Sequence, residues 1–318
     1  MKALQEKEVN VGRPGAQIPL ICPETRRPLL ERDGQAVSLD DQGEPLRYWK
    51  KRGGFFDLVV GDRFEDHSDE VCRAYEMESN AHSTRHYWIP LFQQLFPEWK
   101  QNAPRLLAIG CGIAVEVELL CDAGFACFGI DNGNRTVDWA KRRHREGLVM
   151  ANGMSLPFAD GTFDAVFCGC VFPHVGVIGD TSMTSPQCEA NRQQLAREMV
   201  RVARRGGQVI ACGPNRWFPF DIFHGRKPGS YRPALNPPWS RYLLSVSDFR
   251  RLFRRAGAQK VGTLPIEGFW GFVTMRRSWK GRFLSWPLRL VFHAASTPAL
   301  SFLRPSPLIP WIAVHGTV

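Results

Sequence analysis

The sequence predicts an α/β chain: a doubly wound, largely parallel sheet with a small β-rich N-terminal appendage and C-terminal insertions. Three observations carry this. Buried-strand runs alternate with helical stretches between residues 105 and 213. The first 60 residues are dense in turn formers. After Pro214 the alternation gives way to Pro/Trp/Arg-rich chain, from Asn215 to Arg241.

In order along the chain, Gly-Arg-Pro-Gly at 12–15, Asp33-Gly34, Asp41-Gln42-Gly43 and Gly53-Gly54 separate short apolar pieces such as IPLIC (18–22) and FFDLVV (55–60). This pattern reads as small β-hairpins. From about Asp69 to Trp99 the pattern is helical, with Tyr87, Leu91 and Leu95 on one face. Then come a strand at 105–110, a helix at 113–123, a strand at 126–131 and a basic helix at 135–147. A strand at 163–169, a helix at 188–204 and a strand at 208–213 follow. Ser245 and Asp248 form a capping signal for a helix that ends at Gly257. Residues 271–309 read as irregular, and 311–315 as a last strand. The segment 283–303 is apolar, but Pro287, Arg289, His293 and Pro298 interrupt it. A spanning helix would need roughly 20 unbroken apolar residues, so an interfacial or core segment is expected.

Composition narrows the class. With 44% apolar and 11% aromatic residues, the chain has enough to bury and is not a disordered segment. Nine cysteines with no C-x-x-C pair do not make a disulfide scaffold. No signal-peptide-like apolar run follows Met1, so a reduced, cytoplasmic setting is expected. The net charge of +10 is unevenly placed. Residues 1–100 hold 14 Lys/Arg against 17 Asp/Glu, residues 101–212 hold 11 against 11, and residues 213–318 hold 16 against 3. The last stretch also holds six of the ten Trp. Such an excess points to an anionic partner: nucleic acid, phosphorylated substrate or membrane surface.

Gly110-Cys111-Gly112 lies between a buried strand and a helix, where glycine lets the backbone approach a ligand at the sheet's carboxyl edge. Asp131 ends the next strand, 19 residues after Gly112, where a carboxylate accepts from ribose hydroxyls. Together they imply a nucleoside-containing cofactor. Val115 stands where a dinucleotide fingerprint has its third glycine, so a pyrophosphate is not favoured.

The blocks LLAIGCG, GID, ANGMSLPFADGTFDAVFCGCVFPHV and RVARRGGQVIACGPN resemble those of class I S-adenosylmethionine-dependent methyltransferases. The similarity is to the subgroup reading LPF-x-D-x-x-F-D, matched by Phe158, Asp160, Phe163 and Asp164, with His174 in the following turn. It covers about residues 70–262 and the last strand, and implies a Rossmann-like sheet with S-adenosyl-L-methionine as cofactor. The resemblance also implies roles. The backbone of Gly110, Cys111 and Gly112 would cradle the methionine end, Asp131 would hold the ribose, and Asn132 would border the adenine. Asn152, with the backbone of Gly153 and Met154, would face the adenine ring. Two positions depart from the family: Ala108 replaces the usual acidic residue near the cofactor's amino group, and Asn152 replaces Asp. Asn still offers a carbonyl acceptor.

Methyl transfer is an in-line displacement that needs a base only when the acceptor is protonated. His174, at the end of the fourth strand, is one candidate catalytic residue, and His224 and Tyr231, in the irregular stretch after Pro214, are two more. The opening stretch LICPETRRPLLERDGQAVSLDDQG resembles the zinc ribbon that precedes some bacterial rRNA guanine methyltransferases. Only Cys22 of its ligands remains, with Thr25 in the second position and the second pair falling near Ser38 and Asp41. One thiolate cannot hold a structural zinc, so residues 1–65 are expected to form a degenerate, metal-free ribbon. Residues 70–318 would form the methyltransferase domain, with 215–244 and 271–309 as an acceptor lid.

The C-terminal insertions and their flank hold Trp217, Phe218, Phe220, Trp239, Trp270, Trp279 and Trp286, which suit an apolar lid over a small-molecule or amphiphilic acceptor, natural-product or lipid-linked. Arg276, Arg277, Arg282 and Arg289 suit an anionic head group or peripheral contact with an anionic membrane. The alternative is an RNA base methyltransferase, supported by the ribbon-like start and basic tail. The acidic first 100 residues and the lack of an N-P-P-Y signature make nucleic acid the weaker partner. A third reading, a non-catalytic binding protein on this fold, follows from Ala108.

Overall fold

The computed structural model describes residues 7–65, 70–179, 181–221, 234–237, 239–271 and 278–318. His224, Tyr231, Arg276 and Arg277 lie outside the described residues. Nine strands make the main sheet: β1 (Lys51–Arg52), β2 (Phe55–Leu58), β3 (Arg105–Ile109), β4 (Ala126–Asp131), β5 (Leu148–Ala151), β6 (Phe163–Gly169), β7 (Ala203–Pro214), β8 (Gln259–Thr263) and β9 (Trp311–Thr317). Their spatial order is β8-β9-β7-β6-β3-β4-β5-β2-β1. The strands from β2 to β7 run parallel, while β9 lies antiparallel between β7 and β8, and β1 antiparallel to β2.

Alternation along each strand sends side chains to two faces. Leu107, Ile109, Phe128 and Val166 join one core, and Leu106, Ala108, Cys127 and Phe167 the other. The first core is covered by α4 (Cys188–Val202), α5 (Val246–Ala256) and the N-terminal segment. The second is covered by a π-turn (Thr84–Trp88) and α2 (Ile89–Leu95), which continue the helix α1 (Glu70–Ser83), together with α3 (Val115–Asp122) and α6 (Trp279–Ser296). Being covered on both sides, β3 to β5 are almost wholly apolar.

The N-terminal hairpins are present as a four-stranded sheet of Lys7–Glu8, Leu30–Arg32, Gln35–Leu39 and Pro45–Trp49, with a separate pair Asn10–Val11 and Ile18–Pro19. The hairpin at 51–58 instead continues the main sheet, through Met150↔Asp57 and Ala151↔Leu58. Cys22 is buried in the core shared with the main sheet, and its sulfur accepts from Thr25 N at 3.5 Å. Asp41 pairs with Arg27 at 2.8 Å. Among the described residues, no group of three or more His, Cys, Asp or Glu is placed to hold a metal.

The structure corrects two readings. The basic helix expected over 135–147 is two 3-10 segments, Asn134–Lys141 and Arg145–Gly147. A continuous α-helix would set Arg145 beside both Lys141 and Arg142, at i,i+4 and i,i+3. The middle of the run turns instead to α3: Arg142 and Arg143 reach Glu118 at 3.5 and 3.0 Å, and His144 reaches Asp122 at 2.9 Å. Within 271–309, read as irregular, residues 279–296 form α6, capped by Ser278, whose hydroxyl accepts from Gly281 N at 3.0 Å. No described helix is long and apolar enough to cross a membrane.

Candidate functional site

The carboxyl ends of β3, β4, β5 and β6 meet at one edge of the sheet, and the residues expected to bind the cofactor lie there. Gly110, Cys111 and Gly112 leave β3 with Gly110 and Gly112 at φ +66° and +49°, a region that favours glycine. The turn is tied to β4. Cys111 N donates to Ile130 O at 3.0 Å, Gly112 N to Asp131 Oδ2 at 2.8 Å, and Gly133 N to Asp131 Oδ1 at 2.7 Å. Trp139, fully buried, donates its indole N–H to Gly112 O at 2.7 Å. Burial pushes the Asp131 carboxyl up, while the amides of Gly133 and Gly112 and the nearby Arg135 charge pull it down. Each carboxylate oxygen accepts one amide and keeps acceptor capacity for a further donor.

A side chain at Gly110 would lie 2.5 Å from Val171 Cγ2, so the glycine turn packs directly on the turn that leads to His174. His174 sits at the end of a 3-10 turn, Phe172–His174, with its ring 5.7 Å from Phe64 and 6.0 Å from Tyr242. Asn152 directly follows β5 and is buried. Its Nδ2 donates to Val60 O at 3.1 Å and its Oδ1 accepts from Met154 N at 3.0 Å. That oxygen retains one lone pair for an adenine-type donor. Gly153 has no room for a Cβ, which would meet Leu195 Cδ1 at 2.9 Å. Asn132 donates through Nδ2 to Asp62 O at 3.2 Å.

Three features of this edge escaped sequence reasoning. Residues 60–64 run along it as a strap, bonded through the carbonyls of Val60 to Asn152, Asp62 to Asn132 and Phe64 to Asn134. Nothing in the strap's own composition marks it. The Glu76 carboxylate on α1 pairs with Arg135, and both side chains stand over Gly112, about where its Cβ would point. Buried Arg192 donates to the carbonyls of Phe172 (2.9 Å), Pro173 (3.1 Å), Arg241 (2.8 Å) and Tyr242 (2.8 Å), joining the His174 turn to the end of the first insertion. Its signal was available: an arginine four residues after Cys188 on the face that α4 buries.

The arrangement fits a nucleoside sulfonium. The atoms nearest the position of a Gly112 Cβ are the ends of Arg135 and Glu76, at 3.7–3.9 Å, flexible side chains that can move aside to let a ligand approach the peptide. Although Ala108 is apolar and buried, Glu76, Glu116 and Asp131 gather near the turn. Burial, with the charges of Glu76 and Asp131, pushes the Glu116 carboxyl up to about 8, and its buried Oε2 has no hydrogen-bond partner among the described residues.

Residues 107–211 match the family model described as a methyltransferase domain. A demethylmenaquinone methyltransferase of Beutenbergia cavernae is 26% identical over 67% of this chain and 88% of that protein. The chloroplastic tocopherol O-methyltransferase of Arabidopsis thaliana is 27% identical over 36% of this chain and 31% of its own. The crystal structure of a SAM-dependent methyltransferase from Archaeoglobus fulgidus aligns with 74% of this chain and 94% of its own, at 16% identity and a TM-score of 0.43. The chain is an S-adenosylmethionine-dependent methyltransferase, with the methyltransferase domain spanning the glycine turn, Asp131 and His174.

Proposed function

We propose that the enzyme methylates an amphiphilic small molecule, natural-product or lipid-linked, taken up beside the carboxyl edge of β6 and β7. The observation that carries this is the chain bordering that edge. In and after the first insertion, Trp217, Phe220, Leu235 and Trp239 stand exposed between 43% and 81%, in the third of the sequence that holds 16 Lys/Arg against 3 Asp/Glu. Apolar surface beside cationic charge suits an acceptor with an apolar body and an anionic or polar head. The two related methyltransferases are named for small-molecule acceptors, which supports the same class.

In this reading the backbone of Gly110, Cys111 and Gly112 holds the methionine end of the cofactor, and Asp131 accepts from the ribose hydroxyls. Glu76 supplies negative charge near the amino group, where Ala108 offers none, and the mostly protonated Glu116 offers a carboxyl oxygen as acceptor. Asn132, Asn152, Gly153 and Met154 line the adenine. S-adenosylmethionine supplies an electrophilic methyl on a sulfonium, so alignment and exclusion of water contribute most of the acceleration. His174, held in place by Val171 and Arg192, takes the acceptor's proton where the acceptor is a hydroxyl. His224 and Tyr231 remain proposed acceptor-side groups. The N-terminal segment is proposed to be a ribbon without metal, and the lid to be residues 215–244 and 271–309.

The test is transfer of a labelled methyl group from S-adenosylmethionine to fractionated cell extract. Label in the organic-soluble, small-molecule fraction supports the proposal. Label confined to RNA would replace it with the nucleic-acid reading, and calorimetry showing no binding at millimolar cofactor would sink both.

A further inference from the structure

Helix α6 has two faces of different kinds. Phe292 and Ala295 are buried in the second core, with Leu288 and Val291 packed against it. On the opposite side Trp279, Phe283, Trp286 and Leu290 are exposed by 70, 76, 65 and 49%. At about 100° per residue these four fall within an arc of about 60°, roughly opposite the buried side. Lys280 lies on one flank of this arc and Arg282 and Arg289 on the other, and all three are exposed. Pro287 interrupts one bond of the helical ladder without moving the stripe to another face. Phe302 and Leu308, in the turn after α6, are also exposed, by 69 and 67%.

We infer that this outer face of α6 docks the enzyme on an anionic lipid bilayer, with the Trp/Phe stripe at the level of the head groups and Lys280, Arg282 and Arg289 on the lipid phosphates. Three observations select that occupant. A stripe of four large apolar side chains in water is costly, and Trp and Phe with flanking Lys/Arg is the composition of helices that lie in the membrane interface. No acidic residue occurs from 278 to 318, so the charge complements anionic lipid. A second copy of the chain is a poor occupant, because a twofold interface would bring the same three cations toward their own copies.

The position of the helix gives docking a use. Phe292 shares its core with Ile309 and Trp311, and Trp311 pairs with Pro214 at the carboxyl end of β7. The docked face therefore lies on the element that packs beside the acceptor edge, and a lipid-linked acceptor would reach that edge from the bilayer. For this use the inference rests on the amphiphilic-acceptor proposal; the docking itself does not.

The experiment is co-sedimentation of the full chain with vesicles of phosphatidylcholine containing about one part in three phosphatidylglycerol. The expected result is binding that weakens with added salt and is lost on pure phosphatidylcholine. The double variant Phe283→Glu, Trp286→Glu is expected to bind roughly tenfold or more weakly. Both side chains project from the fold, so calorimetric binding of S-adenosylmethionine is expected to stay unchanged. Equal vesicle binding by the variant, or none by the wild type, overturns the inference, as does a wild-type dimer that the variant abolishes. Cofactor binding without vesicle binding would remove the docking and leave the methyl-transfer proposal standing. Vesicle binding with label transferred only to RNA would do the reverse.

Discussion

Asp131 ties the glycine turn after β3 to the end of β4, with one oxygen on Gly112 N and the other on Gly133 N. Asp131→Ala frees both amides and removes the expected ribose contact. Calorimetry should show S-adenosylmethionine affinity reduced by about tenfold to a hundredfold, the cost of one to two charge-assisted hydrogen bonds. Unchanged affinity would place Asp131 outside the cofactor site. Glu116 gives a second prediction, in pH. Its carboxyl titrates at about 8 in the fold, against an ordinary value of 4.5, chiefly through burial. Between those values the folded chain holds a proton that the unfolded chain has released, so stability falls as pH rises across this window and is level above it. Glu116→Gln carries no such charge. Urea denaturation should find the variant about 1–3 kcal/mol more stable than wild type at about pH 9, and little different at about pH 4.5. Equal slopes for the two proteins would show that Glu116 ionises freely.

At the scale of elements, local chemistry read best where side chain and backbone specify the same structure. Ser245 Oγ accepts from Asp248 N at 3.2 Å, Asp248 accepts from Ser245 N at 2.9 Å, and Gly257 ends α5 at φ +107°. Each feature is visible in the residue types alone. Ser245→Ala should cost about 1 kcal/mol, seen as a lower Tm with an unchanged denaturant slope; a loss within error would mean that Asp248 caps the helix unaided. The glycine turn, β3, β4 and β6 were equally legible, because a run of apolar residues ending in Gly-x-Gly has few other readings. What was not legible lacked a local signature. The strand Leu148–Ala151 is four residues long and follows a cationic run that reads as helix. The strand Gln259–Thr263 is largely polar and exists because β9 offers it an edge. The first turns of α6 mix Gly281, Pro287 and exposed Trp, so neither propensity nor a simple apolar period announces the helix. The strap over 60–64 is placed by side-chain amides some 70 to 90 positions away along the chain.

For the molecule as a whole, the N-terminal segment matters as a wall of the main core. Val9, Ile18, Leu20, Cys22, Leu29 and Trp49 are buried in one cluster with Phe128, Phe158 and Phe163 of the main sheet and its loops. Polar bonds close the seam: Gly12 N donates to Glu146 O at 2.7 Å, Ile21 N to Pro157 O at 3.1 Å, and Arg26 pairs with the buried Glu198 at 2.9 Å. At Gly12, φ is +108° and a Cβ would come within 2.7 Å of Phe128 Cε1 and 2.6 Å of Ala16 O. Gly12→Ala should therefore cost about 1–3 kcal/mol, from strain at a positive φ and overpacking of the seam. Removing residues 1–50 should do far more. It would uncover several large side chains, each worth about 1.5–3 kcal/mol when buried, more than the whole margin of a typical domain. The truncated chain is expected to bind a hydrophobic dye and to lose its cooperative thermal transition, while full-length Gly12→Ala keeps a transition a few degrees lower. A truncated chain that melts cooperatively near the wild-type temperature would show that the segment is an independent module resting on the sheet. If the segment is instead part of the sheet's own core, the strap at 60–64 follows from it. The chain leaves the seam through β2, and β2 delivers Val60, Asp62 and Phe64 to the edge where the residues proposed to bind the cofactor stand.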